Sequence, residues 1–101
     1  MLETPLMKHR FPPLELLEAN HRFPGAYTFK VIGINENEFL KRILDEVKSV
    51  LKPDQAVRHS VREASGGKHS AITLEVTVET AHQIIHIYEK LVIIDGVVVV
   101  L

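Results

Sequence analysis

The chain has 101 residues and a formal net charge of −1, from twelve basic and thirteen acidic side chains. That length holds one domain around one core, and 46% apolar with 25% charged residues is a globular composition, not a disordered one. There is no cysteine, which excludes disulfides, thiolate metal sites and cysteine nucleophiles. A nucleic-acid binder of this size carries a basic excess or stripe; none is visible, so no nucleic-acid partner is expected.

Residues 1–26 read as an N-terminal arm. They hold all but one of the five prolines and one short candidate helix, Leu14–Ala19. His-Arg-Phe-Pro occurs at His9–Pro12 and again at His21–Pro24, which is too short to be a structural repeat. The opening MLETPLMKHRFPP contains acid and proline in place of the apolar run of a secretory signal. The longest uncharged apolar stretch, Gly96–Leu101, is far too short to span a bilayer. No membrane partner is expected, and a cytoplasmic location follows as the default.

Residues 27–101 carry regular signals. Tyr27–Ile32 alternates as a strand, with Tyr27, Phe29 and Val31 on one face and Thr28, Lys30 and Ile32 on the other. Gly33 ends it. Asn35 followed by Glu38 predicts an N-cap, because the asparagine oxygen can accept from free backbone N–H groups. Apolar residues at positions 39, 40, 43, 44, 47, 50 and 51 then form one helical stripe. The opposite face pairs Glu38/Arg42, Lys41/Asp45 and Arg42/Glu46 at i,i+4, and Pro53 stops the helix.

Ala56–Glu63 and His69–Val78 predict a hairpin around Ser65-Gly66-Gly67-Lys68. With the two glycines as the loop, Val61 faces Ile72, Val57 faces Val76 and Arg58 opposes Glu75. Turn, apolar faces and charges thus agree on one register. Thr80 followed by Gln83 predicts a second capped helix, with Ala81, Ile84, Ile85, Tyr88 and Leu91 on one stripe. Asp95-Gly96 turns the chain into a last strand, Val97–Leu101. The order β-α-β-β-α-β with right-handed crossovers predicts an α+β fold, a two-layer sandwich with antiparallel sheet order 4-1-3-2 and both helices on one face.

No catalytic residues emerge. The first strand–helix loop, Gly33-Ile34-Asn35-Glu36-Asn37, holds no thiolate pair for a metal carrier and no cation for an oxyanion cradle. The outward strand residues include no aromatic on which to stack a base. Ser60, Ser65 and Ser70 have no His/Asp partner set by the register. His82 and His86 stand at i,i+4, a spacing that can hold a metal, with Glu79 and Glu89 as oxygen donors. A solvated helix face explains them better, and no metal or other cofactor is expected. His59 points toward the helices from an edge strand and reads as a partly covered histidine.

Two features stand out. The backbone of the loop at Gly33, Asn35 and Asn37 opens a helix and suits a small anionic or amino-acid ligand. Ile32, Val98 and Val100 form an apolar strip on the open sheet face beside an uncharged edge, which needs a cover. A second subunit is one expected cover, and the arm with Leu14, Leu16 and Leu17 is the other.

Several segments together resemble the YbeD-like family of small bacterial proteins. They are Phe23-Pro24 leading into Tyr27–Gly33, the Ser65–Lys68 turn, Ile87-Tyr88-Glu89-Lys90-Leu91, and the terminal Val100-Leu101. Family members often carry an aromatic where this chain has His69 and a small hydroxyl where it has Ala71. The resemblance implies a ferredoxin-like plait similar to ACT regulatory domains, which bind amino acids near the first strand–helix loop and usually pair. The expected function is therefore a non-enzymatic regulatory or small-ligand-sensing domain working as a homodimer. A protein–protein interaction module using the open sheet face is the rival expectation.

Overall fold

The computed structural model describes residues 11–101, so the start of the first His-Arg-Phe-Pro copy, at His9 and Arg10, lies outside the described residues. In chain order the elements are α1 (Leu14–Asn20), β1 (Gly25–Ile34), α2 (Phe39–Lys48), β2 (Val57–Ala64), β3 (His69–Val78), α3 (Ala81–Val92) and β4 (Val97–Val100). The four strands form one antiparallel sheet in the order β2-β3-β1-β4. This is the α+β plait expected from the element order. Among the described residues, no helix is long and apolar enough to cross a membrane.

Alternation decides what the sheet buries. Phe29 and Val31 of β1, with Ile72, Leu74, Val76 and Val78 of β3, turn one way and meet Phe39, Ile43 and Val47 of α2. Ile84, Ile87 and Leu91 of α3 close the same core. Thr80 caps α3 as predicted, its hydroxyl accepting from Gln83 N–H at 3.1 Å. The β2–β3 register is the expected one throughout, with Val57 opposite Val76, Arg58 opposite Glu75 and Val61 opposite Ile72. The turn itself differs: pairing stops at Ala64/His69, and Ser65–Gly67 form a 3-10 turn with Gly66 and Gly67 at positive φ. Each side loses one residue to the turn, so the register is unchanged.

The apolar strip requires a correction. Pairing between β1 and β4 shifts between Ile32 and Gly33, where Ile32 opposes Val99 but Gly33 opposes Val97. Val98 is the extra residue of a bulge. A bulge reverses side-chain parity beyond it, so Val100 faces Val31 inside the core at 3% exposure. Simple alternation had placed Val100 outside. The strip that remains on the open face is Ile32 with Val99 and Leu101, the last bonded through its backbone to Lys30 at 2.8 and 3.0 Å. Val98 is exposed.

The described part of the arm, residues 11–26, does not provide the cover. α1 lies against α3 in the helix layer, sending Leu17 into the core, and Phe11 stacks on Tyr88 at 5.2 Å. Leu16 is exposed. Tyr88 also meets Phe29 edge-on at 4.9 Å, and its hydroxyl lies 3.0 Å from that of Tyr27. Burial, reinforced by that hydrogen bond, pushes the Tyr88 phenol well above its usual range.

Two outcomes test this packing. Lysine at position 100 is expected to unfold the domain in a urea titration, because it buries a charge, while lysine at exposed Val98 leaves the midpoint nearly unchanged. Because the folded-state pKa of Tyr88 is raised, its contribution is complete below the unfolded value of about 10 and is lost as pH rises above it. Stability measured through that range is expected to fall less steeply in Tyr88→Phe.

Candidate functional site

The loop between β1 and α2 is shaped by one close approach. Strand β1 continues through Gly33 to Ile34, and Gly33 is buried. A Cβ at this position would lie 2.3 Å from Cζ of Phe39 and 2.6 Å from the carbonyl oxygen of Gly96. The Phe39 ring therefore occupies the space above Gly33, which is not open to a ligand. Asn35 is not the helix cap. Its Nδ2 donates to the Gly67 carbonyl at 3.2 Å and its backbone N–H to that of Lys68 at 2.9 Å, which ties the loop to the hairpin turn.

The helix starts later than the capping pattern predicts, at Phe39, with Glu38 at the cap position and no side-chain cap bond. Asn37 and Glu38 both adopt φ of 56°, in the left-handed region. A non-glycine residue there costs on the order of 1–2 kcal/mol, with asparagine better tolerated than glutamate. Arg42, one turn into α2, offsets that cost. Its guanidinium donates to the carbonyls of Asn37 at 2.9 Å, Glu36 at 3.2 Å and Asp95 at 2.8 Å. It also lies over the Phe39 ring, 5.6 Å from the centroid. One cation thus fastens the β1–α2 loop to the α3–β4 loop. Of the predicted helix-face pairs, Lys41–Asp45 forms at 2.9 Å, whereas Arg42 serves carbonyls in place of Glu38 or Glu46.

The three residues picked from the loop sequence do not converge. Gly33 lies under Phe39 and Asn35 turns to the hairpin. Asn37 alone lines a cavity of about 140 Å³, with Ile34, Glu36, Arg42, Asp95 and Gly96. A second hollow of about 350 Å³ shares Arg42 and Asp95 with it and is walled also by Asp45, Glu46, Ile93 and Ile94. Sequence reasoning missed Arg42 because i,i+4 spacing offered it two carboxylate partners. The available signal was its place one turn after Phe39, beside a loop rich in unpaired carbonyls.

The other candidates are scattered. His82 and His86 are exposed on α3, Glu79 is engaged by Lys52 at 3.1 Å, and the described residues hold no group of three potential metal ligands. His59 shares the helix-side face with Leu74 but is exposed, not partly covered, because the helices stop short of the β2 edge. Ser70 is buried and Ser60 exposed, on opposite faces of the sheet.

Comparison with known proteins places this architecture. The family described as a protein of unknown function, DUF493, matches residues 18–101. The chain belongs to the DUF493 family. A UPF0250 protein of Pasteurella multocida is 32% identical over 79 residues, covering 78% of this chain and 88% of the relative. One from Neisseria gonorrhoeae is 35% identical over 69 residues, covering 68% and 76%. The YbeD-like resemblance read from the sequence therefore holds.

Two solved structures share the DUF493 chain's fold. The solution structure of a protein from H. pylori aligns with a TM-score of 0.63 at 16% identity, covering 91% of this chain and 97% of that one. The crystal structure of the ACT domain from GTP pyrophosphokinase of Chlorobium tepidum aligns with a TM-score of 0.59 at 17% identity, covering 75% and 94%. The ferredoxin-like, ACT-like plait is thus shared, at identities that speak for fold alone.

The geometry of the DUF493 loop makes two substitutions informative. Gly33→Ala is expected to cost about 1–3 kcal/mol through overpacking against Phe39, read as a lower urea midpoint. Arg42→Ala is expected to cost about 1 kcal/mol. It should also speed amide exchange in both loops it joins while leaving the β2–β3 amides protected.

Proposed function

We propose that this chain is a regulatory domain that acts by binding, not catalysis, and senses a small carboxylate, an amino acid or a related metabolite, beside Arg42. The observation that carries the reading is the Arg42 latch. A guanidinium with three carbonyl partners has a fork to which a carboxylate is the stronger partner, by charge and by geometry. A carboxylate entering the small cavity beside Asn37 would take over part of that fork and release carbonyls of Glu36, Asn37 or Asp95. Two loops held by the ligand in place of each other give the differential contact that a ligand-driven shift requires. The cavity is well below the ~300 Å³ at which drug-sized sites begin, which suits a ligand of few atoms. The ACT-like plait supports the reading, since the resemblance implies amino-acid binding near this loop.

The same resemblance supports a homodimer. Pairing is assigned to the β4 edge, where no charged residue lies between Gly96 and Leu101, in contrast to the β2 edge with Arg58 and Arg62. The second reading is a protein-interaction module. It rests on the sheet face opposite the helices, which no described element covers.

Thermal-shift screening of amino acids and small di- and monocarboxylates tests the sensing reading. One chemical class is expected to raise the melting temperature in the parent chain and to lose that effect in Arg42→Ala. A uniformly flat screen would overturn it. Light scattering across a concentration series tests the dimer, and a persistent monomer would overturn that part alone.

A further inference from the structure

The open sheet face carries chemistry that the loop site does not explain. Register places its side chains in rows across the sheet. Arg58, Glu75 and Thr28 form one row, Ser60, Thr73, Lys30 and Leu101 the next, and Arg62, Ala71, Ile32 and Val99 the third. The face is therefore divided lengthwise. Its β2–β3 side is polar and cationic, and its aliphatic residues, Ile32, Val99 and Leu101, gather toward β4, with Thr28 and Lys30 of β1 beside them.

The cationic half holds two shallow hollows. One hollow of about 270 Å³ is lined by Thr28, Arg58, Ser60, Thr73 and Glu75 along with His59. A second, of about 210 Å³, adjoins it through Ser60 and Thr73 and adds Lys30 and Arg62. The only carboxylate among these side chains, Glu75, already meets Arg58 at 3.4 Å. Lys30 and Arg62 have no ion pair among the described residues. Three cations against one carboxylate on a chain of net charge −1 mean that positive charge is concentrated here.

We infer that this face is the docking surface for an acidic amphipathic helix of a different protein, its aliphatic stripe on Ile32, Val99 and Leu101 and its carboxylates over Lys30 and Arg62. This rests on the second reading above, that the face left uncovered by the described residues is a binding surface, and is independent of the Arg42 site. Charge complementarity selects the occupant. A helix with one apolar stripe is the usual cover for a bare sheet face, and only an acidic one satisfies the cationic half.

Other occupants fit less well. In a two-fold sheet-on-sheet dimer, the β2 cations meet either their own copies or the other copy's aliphatic half, and both leave charge unpaired. A head-to-tail contact between copies does not close. Single-stranded nucleic acid finds no row of stacking partners here, since the one ring that register places on this face is His69, between Ala64 and Ile34. A lipid surface would meet cations on one flank only, in place of a rim around the apolar strip.

The test is an amide-shift titration of the full chain with four probes: a helical Glu/Leu peptide, its Lys/Leu counterpart, oligouridylate, and phosphatidylglycerol vesicles. The Glu/Leu peptide is expected to shift amides around Lys30, Ser60, Arg62 and Thr73. Its Kd should rise about tenfold in Arg62→Glu and in Lys30→Glu, and rise with salt. The Arg42→Ala chain should bind it unchanged, which separates this surface from the loop site. Tighter binding of oligouridylate or vesicles to these residues overturns the proposal. So does an absence of shifts with the acidic peptide, equal binding of the Lys/Leu peptide, or protection of the same side chains in the free chain. Circular dichroism of both charge-reversed variants confirms that each is folded, and the two together guard against a local structural effect of either.

Discussion

Gly33 is the point through which three elements of this fold pass. The Phe39 ring and the Gly96 backbone both press on it, at distances that no side chain could share. Seating Phe39 there sets where α2 begins, and starting the helix so close to the strand end forces Asn37 and Glu38 into left-handed backbone. Such a turn has carbonyls to satisfy, and Arg42 satisfies them together with that of Asp95. The latch that defines the candidate ligand site is thus a consequence of one missing Cβ.

The same contact bears on the far side of the sheet. Gly96 leads directly into β4, and Ile34 N–H bonds its carbonyl at 2.8 Å, fixing where β4 enters beside β1. From that start the strand reaches Val100 in the core only by carrying an extra residue at Val98. The bulge hands Val99 and Leu101 to the open face. Helix layer and open face are therefore linked through the Gly33–Gly96 backbone contact, which, independently of Arg42, decides which valines are left for a partner.

Where local pattern and tertiary demand coincided, the sequence was easy to read. Strict alternation in Ile72–Val78 and the matched Arg58/Glu75 pair gave a hairpin register that survives a change of turn type, because both turns consume residues symmetrically. The Thr80 cap was legible for a similar reason, since its partner Gln83 N–H lies three residues away. Asn35 misled because its cap signature was contested by a distant acceptor, the Gly67 carbonyl, 32 residues along the chain. Arg42 was hidden in the same way: nearby carboxylates suited it, and carbonyls brought together by folding suited it better.

By itself, the sequence determined the element order, the sheet topology, the β2–β3 register and the exclusion of thiol chemistry. These depend on periodicity, on turn and cap residues, and on composition, all of which act over a few neighbouring residues. Only the tertiary structure decided the contents of the first loop and the facing of β4. Both depend on how closely β1, α2 and β4 approach at Gly33, a distance set by packing between segments some 60 residues apart. Four consecutive valines carry no alternation from which a bulge could be read.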